Sequence, residues 1–151
     1  MTHYDNQLAA RVWQRVQGTQ SIPDCTSDIL PLLQEEVTDL KRYHQLSGTA
    51  GLTVKRELSL LTSKTEQCVH ALRGIWFLRT DSQSKTAISP LPRELPISTL
   101  RRCYGGTLQR ISRYGALTQL SEYAPGFMLL EQLSNERCQL LLQLLGNYRS
   151  N

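Results

Sequence analysis

The residues best placed to do chemistry are three carboxylates, Glu36, Glu66 and Glu136, with the polar side chains Tyr43, Thr107, Tyr114 and Gln139 at matched separations. Glu36 and Tyr43 are seven residues apart, about two turns of helix, so they share a face. Leu32, Leu33, Leu40 and Leu46 lie on the same face, which turns the carboxylate toward apolar neighbours. Carboxylates gathered inside a helical bundle can cage hard metal ions when imidazoles complete the shell. Nucleophilic catalysis has no such starting point. No serine stands in a G-x-S-x-G context, and Gly105-Gly106 lacks the strand before it and the Gly-Lys-Ser/Thr after it that a phosphate loop needs. That glycine pair instead suits close helix packing or a local break before Thr107.

These residues require helices to position them, and the hydrophobic period supplies them. A leader helix is expected over residues 4–18, from Leu8, Val12 and Val16 with Ala9 and Trp13 alongside, ended by Gly18. A first hairpin follows over 28–79. Ser27 or Asp28 is expected to cap its first helix, with Pro31 in the first turn. Its second helix carries Val54, Leu58, Leu61, Val69, Leu72 and Trp76. Residues 80–97 change character: they are polar, with Pro90, Pro92 and Pro96, and read as a crossover. A second hairpin spans 98–148, with Leu100, Cys103, Leu108, Ile111, Tyr114 and Leu117, then Met128, Leu129, Leu133, Leu140, Leu141 and Leu144. The run from Leu140 to Leu145 exceeds one stripe and reads as core on both sides or as a homodimer surface.

The two hairpins can be superposed. Glu36, Arg42-Tyr43 and Glu66-Gln-Cys68 match Thr107, Arg113-Tyr114 and Glu136-Arg-Cys138. The separations are 7 and 30 residues in the first half and 7 and 29 in the second. Two look-alike hairpins related by a pseudo-two-fold axis, with a long middle connection, make an all-α antiparallel four-helix bundle in a single domain.

At this point the chain resembles the ferritin-like superfamily, in particular rubrerythrin-like bundles. The likeness rests on the Glu36/Tyr43 helix, the helix with Glu66, and Trp76-Phe77 before Leu78. Val12-Trp-Gln-Arg-Val16 is similar to the leader helix of short bacterial members, and the likeness runs from about Tyr4 onward. The resemblance implies an iron or manganese pair held by six ligands, acting on peroxide or storing metal. Glu36, Glu66 and Glu136 stand at three of those positions. Val69 and Gln139 replace the two histidines, and Thr107 replaces the remaining carboxylate. The expectation is therefore a bundle that binds no metal and has lost metal-dependent activity. Its acids would meet in the middle under hydrogen bonds from Tyr43, Thr107, Tyr114 and Gln139, and its role would be structural or partner-binding. The alternative is a carboxylate-bridged metal protein. His70, His44, Glu35, Asp39 and Glu57 are expected at exposed or solvated positions.

Composition narrows the rest. The chain has 151 residues, 40% hydrophobic and 20% charged, suited to one soluble domain. No apolar run nears the roughly 20 residues that span a bilayer, and no secretory signal opens the chain, so a cytoplasmic protein is expected. Cys25, Cys68, Cys103 and Cys138 form no CxxC pair and read as free, buried thiols. The net charge is +4, yet the basic residues are scattered. Arg101, Arg102, Arg110 and Arg113 read as a solvated helix face, and a basic nucleic-acid-binding module ranks last among the readings.

Overall fold

A computed structural model describes residues 25–150, all but the side chains of the last two. Four helices make up most of this span: α1 Thr26–Thr49, α2 Leu52–Thr80, α3 Pro96–Leu120 and α4 Ala124–Ser150. The leader helix expected at 4–18 lies outside the described residues.

Local chemistry sets the ends. Cys25, not Ser27 or Asp28, is the N-cap of α1, and no side chain caps it. Asp28 instead sits in the first turn, where a negative charge opposes the helix dipole. Pro31 therefore falls inside the helix rather than at its start. The connector to α2 is Ala50-Gly51, both extended. Asp81 ends α2 in the left-handed region (φ 55°), and its N–H donates to the Phe77 carbonyl at 2.8 Å. Pro96 opens α3 at a position where a missing N–H costs nothing. The α3–α4 turn is held by the Ser121 hydroxyl, which accepts from the Tyr123 N–H at 3.1 Å.

Each helix runs antiparallel to both of its neighbours. Going up α1, Cys25, Glu35 and Asp39 meet Ser121, Arg113 and Arg110 going down α3. Along α2, Glu57, Lys64 and Ile75 meet Asn147, Glu136 and Gly126 of α4. Close approaches join α1 to α2, α3 to α4, α2 to α4 and, more sparsely, α1 to α3. The pairs α1/α4 and α2/α3 are thus diagonal. Since α2 and α3 run the same way, the chain must travel back along the whole bundle between them. Residues 81–95 do this: 15 extended residues reach about 50 Å, against roughly 37 Å for the length of α3. The crossover lies against α1, where Gln34 Nε2 donates to the Ala87 carbonyl at 2.8 Å and Ile88 packs on the core.

The interior is layered. One apolar cluster is built around Ile29, Leu32, Leu72, Phe127 and Leu130, and a second around Leu46, Leu58, Leu61, Leu100 and Leu141. Between them lies a polar layer of Glu36, Asp39, Thr65, Thr107, Arg110, Ser134 and Arg137, all buried. Tyr114 borders it on the side of the first cluster and Tyr43 on the side of the second.

The expected halves are present, with one correction to their register. Buried positions recur 71 residues on from α1 to α3: Ile29 with Leu100, Leu32 with Cys103, Glu36 with Thr107, Asp39 with Arg110, Tyr43 with Tyr114. From α2 to α4 they recur 69 residues on: Leu61 with Leu130, Thr65 with Ser134, Cys68 with Arg137, Leu72 with Leu141. Matching Glu66-Gln-Cys68 to Glu136-Arg-Cys138 assumes 70. That one-residue slip is a turn of 100° about the helix axis. It moves Glu136 off the core face and brings Arg137 onto it. Met128, Leu129 and Leu108, expected in apolar rows, are 58%, 46% and 45% exposed. The Leu140–Leu145 run divides: Leu141 and Leu144 are core, Leu140 and Leu145 pack at its edge, and Leu142 points out.

Candidate functional site

The polar layer holds two carboxylates from α1 and two guanidiniums from the second hairpin. Glu36 and Asp39 are one turn apart, so both acids face inward at neighbouring heights. Arg110, from α3, sets its Nε against Glu36 Oε1 and its Nη2 on Asp39 Oδ2. Arg137, from α4, sets Nη1 on Glu36 Oε2, and its Nη2 lies 3.7 Å from Asp39 Oδ2. The four groups close a ring of alternating charge. Two formal negatives meet two formal positives, and none of the four residues is more than 2% exposed.

Neighbours complete the ring. Arg110 Nη2 also donates to Thr107 Oγ1 at 3.2 Å, and that hydroxyl donates to the Cys103 carbonyl at 2.7 Å. Cys103 Sγ lies 3.7 Å from Asp39 Oδ1, and Arg137 Nη1 lies 3.8 Å from Cys68 Sγ. Toward solvent, Arg42 Nη1 reaches Asp39 Oδ1 at 2.9 Å. Glu35 accepts from Arg113 Nη1 at 2.5 Å and stands 3.7 Å from Arg110 Nη1. Gly106 gives the Arg110 head its room: a Cβ there would come within 3.3 Å of Nη1.

The electrostatics follow from burial and pairing. Desolvation alone would lower the pKa of both arginines, but Glu36 and Asp39 outweigh it and hold Arg110 and Arg137 above the ordinary guanidinium value. Both therefore stay charged. Burial pushes the Tyr43 and Tyr114 phenols well above their usual range. Burial, with Glu36 nearby, takes the Cys68 thiol to about 11. Burial, with Asp39 nearby, takes Cys103 to about 12. The thiols and phenols are thus protonated at neutral pH, and no activated nucleophile results. The Tyr43 and Tyr114 hydroxyls, Ser134 Oγ and Arg137 Nε are buried in the same layer. This layer is polar and buried.

The expected site residues separate into two groups. Glu36, Tyr43, Thr107 and Tyr114 do meet at the bundle centre. Glu66 and Gln139 are exposed, and Glu136 lies at the surface paired with Lys64 Nζ at 2.7 Å, which lowers its carboxyl pKa. The three glutamates therefore do not come together. The partners of Glu36 are guanidiniums, not the hydroxyls and amide expected. Asp39, expected in solvent, is buried, as is Arg110, expected on a solvated face. Arg101 and Arg102 do lie exposed, with Arg102 held by Glu94. His44 and His70 are exposed as expected. All four cysteines are buried and free. The signal for Asp39 and Arg110 was present in the chain: they lie three residues after Glu36 and Thr107 and four before Tyr43 and Tyr114, on the inward face.

An iron or manganese pair does not fit these residues. Every oxygen of Glu36 and Asp39 already faces a guanidinium, and among the described residues no imidazole or further carboxylate is buried in the layer. Among the described residues no group of three or more His, Cys, Asp or Glu is gathered as a metal site. A divalent ion added here would face two fixed positive charges in a medium of low dielectric. Also among the described residues, no helix is long and apolar enough to cross a membrane. No family model matches the chain, and neither the search of curated proteins nor that of solved structures returns a match.

Proposed function

We propose that this chain is a ferritin-like bundle whose centre is held by arginine–carboxylate pairs in place of metal ions, and that it serves a structural or partner-binding role. The observation that carries this reading is the closed ring of Glu36, Arg110, Asp39 and Arg137. The single long crossover and the antiparallel packing support the ferritin-like assignment. The ring supports the loss of metal chemistry, because the cationic charge a bundle centre would take from metal is supplied by side chains. Redox or hydrolytic metal chemistry also needs an open coordination position, and the Glu36 and Asp39 oxygens are already engaged by guanidiniums. Exposed apolar side chains, among them Phe77, Leu78, Leu120 and Met128, are available to a protein partner or a second copy.

The test is metal analysis of protein grown with added iron and manganese, paired with thermal melts with and without EDTA. The expected results are metal far below one ion per chain and a chelator-independent melting temperature. Near-stoichiometric metal whose removal lowers the melting temperature would overturn the reading in favour of a peroxide-reactive or metal-storing protein.

A further inference from the structure

In the central ring both acids belong to the first hairpin and both bases to the second. Several apolar positions around them are alike in the two halves. Leu61 is matched by Leu130 and Leu72 by Leu141, although Leu32 is matched by the smaller Cys103 and Leu58 by Phe127, so shape and hydrophobicity distinguish the halves only in part. Two copies of the first hairpin, paired through the same faces, would bury four carboxylates. Two copies of the second would bury four guanidiniums. Either desolvates four like charges, offset in the first case only by the part-exposed Arg42 on each Asp39, whereas first against second closes the ring.

We propose that Glu36, Asp39, Arg110 and Arg137 act as a recognition code between the hairpins. They direct hairpin one onto hairpin two and prevent two copies of the chain from pairing like half with like half. The inference concerns assembly and does not depend on the functional reading above. It adds to packing because the code operates on the choice of partner, the best-attested use of buried polar groups.

The pseudo-two-fold supplies the experiment. Asp39 and Arg110 occupy equivalent positions, so exchanging them places each residue in the other's setting. Asp39→Arg alone sets three guanidiniums against one carboxylate, and Arg110→Asp alone sets three carboxylates against one guanidinium. In the full-length chain each single change is expected to lower the melting temperature by about 10 °C or more, or to abolish a cooperative transition. The double exchange, Asp39→Arg with Arg110→Asp, restores two against two and is expected to recover at least half of that loss. A double exchange no more stable than the worse single variant overturns the code. A second variant separates recognition from stability: Glu36→Met, Asp39→Leu, Arg110→Leu and Arg137→Met together. It is expected to stay folded while light scattering after size exclusion finds a several-fold larger share of mixed oligomers than in the parent chain. If that variant runs as one species, as uniform as the parent, the charges do not choose the partner and the proposal is wrong.

Discussion

Arg137 has no exposed surface and sits between Glu36, Cys68 and Asp39, so its charge is held entirely by protein groups. Replacing it with Met keeps much of the volume but leaves two buried carboxylates with one buried guanidinium, Arg110, and the part-exposed Arg42. The expected loss is about 3–5 kcal/mol, read from urea unfolding midpoints. Removing Glu36 as well, as Leu, should cost less than the two single changes added, because the pair shares one interaction. The raised thiol and phenol values give a second expectation. In an unfolded chain cysteine ionises near 9.0 and tyrosine near 10.0, while folded Cys68 and Cys103 hold their protons to about 11 and about 12. Above pH 9 the unfolded state therefore binds fewer protons than the folded one. Stability that is intact below pH 9 falls as pH rises through 9 to 12. Unfolding free energies measured from pH 8 to 11 should decline, and the Tyr43 and Tyr114 phenolates should appear in absorbance only as the chain unfolds.

At the scale of the element, α3 shows how one helix serves the ring. Helical residues run unbroken through Gly105-Gly106, so the pair is neither a break nor a site of close helix packing. A Cβ on Gly105 meets open space, whereas one on Gly106 presses on the Arg110 head. Gly105→Ala should stabilise by about 0.5–1 kcal/mol through helix propensity. Gly106→Ala should forfeit most of that gain, and paired denaturation curves would show the difference. The helices themselves were legible from period and punctuation: the observed ends differ from the expected ones by about three residues or fewer. What period could not deliver was rotation about each axis. Apolar rows tolerate a one-residue slip, since leucines crowd both edges of α4. Anchoring the two halves on a Glu-x-Cys coincidence turned Glu136 inward, whereas the structure buries its neighbour Arg137.

For the whole molecule, the topology follows from one long crossover between two hairpins, and the prolines and polar residues after Asp81 announced it. The centre was harder to read for a physical reason. A charged residue on a helix is usually solvated, so Asp39, Arg110 and Arg137 each look unremarkable alone. Their burial is favourable only as a set, and that set is spread over three helices. Glu36 was legible because its own face is apolar. The ring was not, because its members become partners only when the hairpins meet.

The crossover also has a consequence for the chain under proteolysis. Lys85 lies exposed in it, at the surface, while the ring lies wholly on the helices, as do almost all the buried residues of both apolar clusters. Trypsin should cut there early, yet the two pieces should still elute together until urea parts them. A severed backbone would then make folding a bimolecular event, with a melting point that rises with protein concentration.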